Sequence, residues 1–225
     1  LKQTQADYSG FRTPGIRLTE PLLPNITGHS SEVEMPLLYA YHMFDKAHLV
    51  MLAEEELIPR RDAVAMLRAL RDMEGDGVDK VRLEVGGGMH SAEQYLIRRL
   101  GEEVGGRIHL ARSSGDLGAV ARRVRQRDHL IELMNDINAL RETILQVAER
   151  NFDAVMPGYT HGQHAQPLTL GHQLLAWASL LGRDFQRTDA AYARVNQSPA
   201  GAAIMTGSSF PIDRHRTAEL LGFDG

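Results

Sequence analysis

The sequence predicts a mostly α-helical protein: an elongated bundle of long helices, preceded by a small amino-terminal helical domain. Three observations carry that reading. Between Ala119 and Met156 there is neither glycine nor proline, and Val120, Val124, Leu130, Leu133, Met134, Ile137, Leu140, Ile144 and Val147 form a broad apolar stripe at helical spacing. Such a helix runs on the order of 50 Å at a rise of 1.5 Å per residue. A second long helix starts near Thr169 and continues through Leu174, Leu175, Trp177, Leu180, Leu181 and Phe185 to about Val195, with Gly171 and Gly182 interrupting it only mildly. The segment between them, 156–168, turns the chain back and sets the two helices antiparallel. With 225 residues, 43% of them hydrophobic, one chain cannot easily bury both helices on all sides, so they are expected to self-associate.

The elements ahead of these follow from local pattern. Residues 1–34 are mixed polar and carry Pro14, Pro21 and Pro24, which reads as an irregular arm. From Met35 to Leu57 the positions Leu37, Leu38, Tyr41, Phe44, His48, Met51 and Leu52 recur at helical spacing, and Pro59 stops that helix. Arg61 to Met73 forms the next, with Val64, Leu67 and Leu70 on one side. The tract EGDGVDKVRLEVGGGMH reads as a connection holding at most one short extended piece, VRLEV. Ser91 offers an N-cap for a helix from Ala92 to about Leu100, which GEEVGG ends. The organisation expected is an arm and small helical domain over 1–110 and the start of the long-helix bundle over 111–225.

Composition excludes several classes. A net charge of −4 with 24% charged residues argues against a nucleic-acid binder. There is no cysteine, hence no disulfide framework and no thiolate metal site. No apolar run approaches the roughly 20 residues of a membrane span, and LKQTQADYSG lacks a signal-peptide core, so a cytoplasmic protein is expected. GGG at 86–88 has neither a GxxxxGK[ST] nor a GxGxxG around it and reads as a flexible turn.

Two polar, glycine-bearing segments stand at helix starts. HLARSSGDLGAV, 109–120, brings Arg112, Ser113, Ser114 and Asp116 to the start of the long helix. A guanidinium, two hydroxyls and the positive end of a helix dipole make an anion site. The alternative is that Ser114 or Asp116 only caps the helix. MPGYTHGQHAQPLTLGH, 156–172, gathers His161, His164 and His172 around Thr160 and Gln163, and ends at Thr169 as an N-cap. A histidine in such a polar loop suits a proton donor or relay near neutral pH; alternatively its imidazoles satisfy backbone carbonyls. The three histidines have neither HxxxH nor HExxH spacing and no carboxylate among them, so no metal site is expected there.

These segments resemble the argininosuccinate lyase branch of the fumarase/aspartase superfamily. MPGYTHGQHAQPLTLGHQLLAW is similar to the family form MPGYTHLQ-x-AQP-x-TLGH, and HLARSSGDLGAV to HTGRSRNDQ. The tail NQSPAGAAIMTGSSFPIDRHRTAELLGFDG is similar to NPLGSGALAGTPFPIDRE…LGF. The three occur in the family's order and, with their connections, span most of 28–225. The resemblance implies a fumarase/aspartase-like helical homotetramer with active sites assembled from three subunits. It also implies β-elimination from an N-substituted aspartate, releasing fumarate and an amine without any cofactor. By position it implies His161 as the catalytic histidine, Thr160 and Gln163 in the substrate site, and Ser113 against the succinyl group. Arg112 and Ser114 fall in the same segment, and Ser30 falls on a substrate-binding serine.

The departures bear on substrate. Where the family reads RSRNDQ this chain reads RSSGDL, placing Ser114 for an arginine, Gly115 for an asparagine and Leu117 for a glutamine; an acidic pair before His90 is also missing. A different N-substituted aspartate follows, such as an aminopolycarboxylate of the ethylenediamine disuccinate (EDDS) type. A structural homologue without catalysis, as lens crystallins of the family are, is the rival reading. The third family signature, GSS-x-MP-x-K-x-NP, which carries the serine base, does not occur in these 225 residues, so the chain is expected to be the amino-terminal portion of a longer protein.

Overall fold

The computed structural model describes residues 35–225. The expected arm over 1–34, and Ser30 within it, lie outside the described residues. The described chain is helical with a single hairpin, in the order α1 (Leu38–Glu54, after a 3-10 turn at Met35–Leu37), α2 (Arg60–Asp76), α3 (Val78–Glu84), α4 (Ser91–Leu100), α5 (Glu102–Gly105), a 3-10 turn at Gly106–His109, α6 (Ser114–Arg150), β1 (Val155–Thr160), β2 (Gln163–Thr169), α7 (Leu170–Val195) and α8 (Arg214–Leu220). None of the described helices is long and apolar enough to cross a membrane.

The chain divides into two compact units, one of residues up to Arg125 with Ser198–Gly225, the other Gln126–Gln197. The first holds two apolar cores, and α1 serves both. Its carboxy-terminal half, with Leu49, Met51 and Leu52, packs with Met66, Leu70, Met73, Leu96 and Ile108. Its amino-terminal half, with Leu38, Tyr41 and Phe44, packs with Leu117, Val120 and Val124 of α6 and with Ala218, Leu221 and Phe223 at the end of the chain. A helix buried at both ends must accommodate its polar side chains, and Asp45, at the junction of the two cores, is fully buried.

VRLEV is not extended. Val78–Glu84 is a helix whose Val78 and Val81 join the first core and whose Arg82 is wholly buried. The alternation over five residues was outweighed by a chain direction that lets one apolar edge face α1 and α2. The cap of α4 is His90 rather than Ser91, and Ser91, already helical, donates its hydroxyl to the Gly88 carbonyl at 2.6 Å.

The second unit is an antiparallel pair of helices joined by a hairpin. The Nη1 of Arg127 donates to Asn196 Oδ1 at 2.9 Å, at one end of the pair. Gly182 faces the Arg141 guanidinium, and at the other end Gly171 lies against Ala148 and Phe152, where an added Cβ would stand 2.7 Å from the Phe152 Cα. Glycine at 171 is thus a packing requirement. The seam is thin: Leu133, Leu140, Leu175, Trp177 and Leu180 are each about half exposed.

The segment expected as a loop at 156–168 is a two-stranded antiparallel hairpin, 155–169. Val155 pairs with Thr169, Pro157 with Pro167 and Thr160 with Gln163, with an irregularity between Pro157 and Tyr159. Gly158 occupies it, where a Cβ would come within 2.7 Å of the Gln166 carbonyl oxygen. Two prolines removed strand donors, which disguised the strands in the sequence.

Candidate active site

The hairpin carries the first group of candidate residues. Its two-residue turn is His161-Gly162, both with left-handed backbone at φ 51° and 73°. Two consecutive positive φ values define a type I′ turn, whose twist matches the flanking strands. Gly162 adopts this freely, whereas a non-glycine residue there is uncommon, with histidine among the better tolerated. The turn therefore places His161 at the tip of the hairpin, flanked by the paired Thr160 and Gln163, all three exposed. Below them the Tyr159 hydroxyl and His164 Nε2 are 3.2 Å apart with their rings in contact. At the base, Thr169 is the N-cap of α7, its hydroxyl accepting the His172 N–H at 3.1 Å. A backbone conformation of restricted occupancy on a candidate proton-transfer residue is typical of functional positions.

The second group surrounds the start of α6. Here the sequence left two readings open, an anion site or a cap, and the geometry is that of a cap. Ser113 Oγ accepts the Gly115 N–H at 3.0 Å, and Asp116 Oδ2 accepts the Ser113 N–H at 2.9 Å. This reciprocal pair occupies two of the donors that an anion would use. The Ser113 hydroxyl also donates to the Ala203 carbonyl, and the Gly201 N–H donates to Asp116 Oδ1 at 2.9 Å, so the cap ties the tail segment down as well. Gly201 sits at φ 101°, where an added Cβ would collide with the Arg214 side chain at 2.3 Å.

Arg112 departs from its expected place. It is buried rather than open, and its Nη2 donates to Asp45 Oδ1 at 2.8 Å while its guanidinium lies over the Phe44 ring. The other Asp45 oxygen takes a hydrogen bond from Arg82 Nη2, and Arg82 Nη1 reaches Ser91 Oγ at 3.2 Å. Burial alone would push the Asp45 carboxyl up, but the Arg112 and Arg82 guanidiniums outweigh it and hold the group below the usual carboxylate range. Asp45 is thus an anion shared by two cations, and Arg112 braces the loop leading into α6 instead of offering its charge to solvent. Beside it, His48 donates from Nε2 to the Leu110 carbonyl at 2.8 Å. Burial first, then the Arg112 charge, lowers its pKa to about 3, so this imidazole is neutral. No periodicity argument could have found Asp45, since its partners lie 37 and 67 residues away.

Ser114 touches a further group that the sequence reading passed over. Its Oγ lies 2.9 Å from His90 Nε2, and the His90 ring stacks on His109 with centroids 5.2 Å apart. Leu117, one of the departures from the family pattern, is fully buried in the second core, so its side chain serves packing. Gly115 is exposed, with the Ser113 hydroxyl 3.2 Å from where a Cβ would be. Arg112, Ser113 and Ser114 belong to the first compact unit, and Thr160, His161 and Gln163 to the second.

A helical chain with one hairpin presenting a histidine, and a capped long helix preceded by a braced arginine, defines a class: the chain belongs to the lyase family, whose pattern, described as Lyase, matches residues 31–225. Within it, the chain is similar to proteins named argininosuccinate lyase. The one from Methanothrix thermoacetophila is 43% identical over 199 residues, covering 87% of this chain and 40% of the relative. That from Natronomonas pharaonis is 46% identical over 182 residues, covering 80% and 36%. Among solved structures, an EDDS lyase in complex with formate superposes with a TM-score of 0.78 at 33% identity, over 84% of this chain and 37% of that one. A class II fumarase from Schistosoma mansoni, at 15% identity and a TM-score of 0.68, shares the fold, which is therefore fumarase/aspartase-like. The chain spans about 40% of the length of the curated relatives it matches.

Proposed function

We propose that the protein is a cytoplasmic carbon–nitrogen lyase that releases fumarate and an amine from an N-substituted L-aspartate by β-elimination. The observation that carries this is the hairpin tip, where a left-handed His161 is fixed between Thr160 and Gln163. An exposed histidine at a left-handed turn position serves no packing purpose within the chain, which favours an enzyme over a structural homologue.

In this reading a base removes the Cβ proton and the electron pair spreads into the neighbouring carboxylate. The C–N bond then breaks, and the departing nitrogen takes up a proton. His161 assists these proton transfers, and Thr160 and Gln163 hold a substrate carboxylate or amide edge. The succinyl end is met by the Arg112–Ser114 loop of another subunit, in which Ser113 caps α6 and Arg112 braces the loop from behind. Donors placed around the developing carboxylate charge supply the largest stabilisation in such a reaction. The serine base belongs to the third family signature, outside these residues, and neither metal nor nucleotide enters the elimination. The half-exposed stripe of Leu133, Leu140, Leu175, Trp177 and Leu180 supports a homotetramer in which sites are shared between subunits.

For the amine, the relatives named argininosuccinate lyase set the default and the sequence argues against it. Ser114 and Gly115 stand where the family pattern has an arginine and an asparagine, and each lost charge-assisted hydrogen bond costs about 1.5–3 kcal/mol. The similarity to an EDDS lyase supports an aminopolycarboxylate. The test is fumarate absorbance, followed with the whole protein against argininosuccinate, ethylenediamine disuccinate, adenylosuccinate and aspartate. Fumarate from one of the others, with argininosuccinate poor, is the expected result. Cleavage of argininosuccinate at kcat/KM of at least about 10⁴ M⁻¹s⁻¹ defeats the substrate argument, and no fumarate from any defeats the activity.

A further inference from the structure

His90, Glu93 and His109 converge in the first compact unit, beside Ser114 at the start of α6. Their positions come from three local features. His90 caps α4, Glu93 stands in its first turn, and His109 closes the 3-10 turn 106–109 that follows α5. One ligand-competent atom from each residue lies within 4.8 Å of the other two. His109 Nδ1 is 2.8 Å from Glu93 Oε2, and His90 Nδ1 is 3.8 Å from the same oxygen. Glu93 is buried, and both imidazoles are mostly shielded.

We propose that His90, Glu93 and His109 form a binding site for a divalent transition-metal ion, with Zn²⁺ the best match to the ligands, fastening the approach to α6. Two imidazoles and one carboxylate, without thiolates, are a ligand set for zinc and its first-row neighbours and a poor one for calcium or magnesium. Around a tetrahedral zinc with bonds of 2.0–2.1 Å the ligand atoms sit about 3.3 Å apart. The 2.8 and 3.8 Å separations from Glu93 Oε2 bracket that value. Metal-binding histidines usually give their other nitrogen to a hydrogen-bond partner that fixes tautomer and orientation. His90 has that arrangement: Nδ1 faces the carboxylate while Nε2 meets Ser114 Oγ at 2.9 Å. A bound ion would therefore orient the Ser114 hydroxyl through the His90 ring and pin α4, the 106–109 turn and α6 together. The role is structural and positional.

The test is binding rather than catalysis, so it stands apart from the fumarate assay. Chelator-treated whole protein is titrated with Zn²⁺ by calorimetry and with Co²⁺ by visible absorption. One ion per chain, with Kd below about 1 µM and a rise in Tm on adding Zn²⁺, is expected. Glu93→Gln and His109→Ala should each weaken binding at least about 100-fold, and Ser114→Ala about 10-fold. The part-exposed His109 makes its variant the safer one for folding, checked by circular dichroism, and it decides the matter if Glu93→Gln does not fold. His164→Ala removes a histidine of the exposed hairpin and should leave binding unchanged. Binding weaker than about 100 µM, retained in His109→Ala, or abolished by His164→Ala overturns the proposal.

Discussion

Replacing Asp45 by alanine strips two buried guanidiniums of the carboxylate they share. Asp45 is fully buried, Arg82 is fully buried and Arg112 nearly so. Removing one partner of a buried pair costs about 3–5 kcal/mol, because the surviving charge stays out of water uncompensated, and here two charges survive. The upper part of that range is expected, and for a chain of this size it corresponds to a fall in Tm of roughly 10 °C or more. Asp45→Asn retains an acceptor but not the charge and should fall between. Thermal and urea unfolding read both effects, and an unchanged urea m-value would show that the loss is in folded-state stability. Adding Arg112→Met to Asp45→Ala leaves one orphaned cation instead of two, and should recover part of the loss. Asp45→Ala destabilised by less than about 1 kcal/mol, or a double variant worse than the sum of the singles, would refute the shared-anion account.

His48 gives a pH prediction. Its folded pKa, about 3, is below the unfolded value near 6.5, so only the unfolded chain takes up the proton between these limits. Stability is full above about pH 6.5 and declines as the pH drops towards 3, by about 2 kcal/mol from this group at pH 5; in His48→Gln the difference between unfolding at pH 7 and pH 5 should shrink accordingly. Burial also lowers the His42 pKa, against the opposing hydrogen bond to Glu74, and adds a slope of the same sign. Gly105→Ala should cost about 1–3 kcal/mol in denaturant titration, since the new Cβ would stand 2.4 Å from the Ile97 nitrogen, whereas Gly106→Ala, with open space, should be near neutral. His161→Asn keeps a residue that tolerates left-handed backbone, so folding should be intact while kcat falls roughly 10²–10⁴-fold; turnover near the wild-type rate would remove His161 from the mechanism.

Features with a short reach along the chain were legible in the sequence. The two long helices came from apolar stripes at helical spacing, and the cap at Thr169 from a hydroxyl one residue before α7. The hairpin was missed because Pro157 and Pro167 read as loop and His161-Gly162 is not one of the common two-residue turn pairs. VRLEV was misread because a five-residue alternation is weak beside the packing of a short helix on α1 and α2. The lyase resemblance rested on motif segments, and these also pointed to His161, Thr160 and Gln163.

What the sequence by itself determined was periodicity, capping and motif, each set by residues within a few positions of one another. Tertiary structure alone decided what each charged group faces. Arg112 reads as an anion ligand in its own segment, yet it is an internal brace because α1 delivers Asp45 to it from 67 residues away. His90, Glu93 and His109 form a cluster only because α4 and the 106–109 turn fold back onto the start of α6. Electrostatic partnership depends on distance in space and on exclusion of water, and neither quantity exists until the chain is folded.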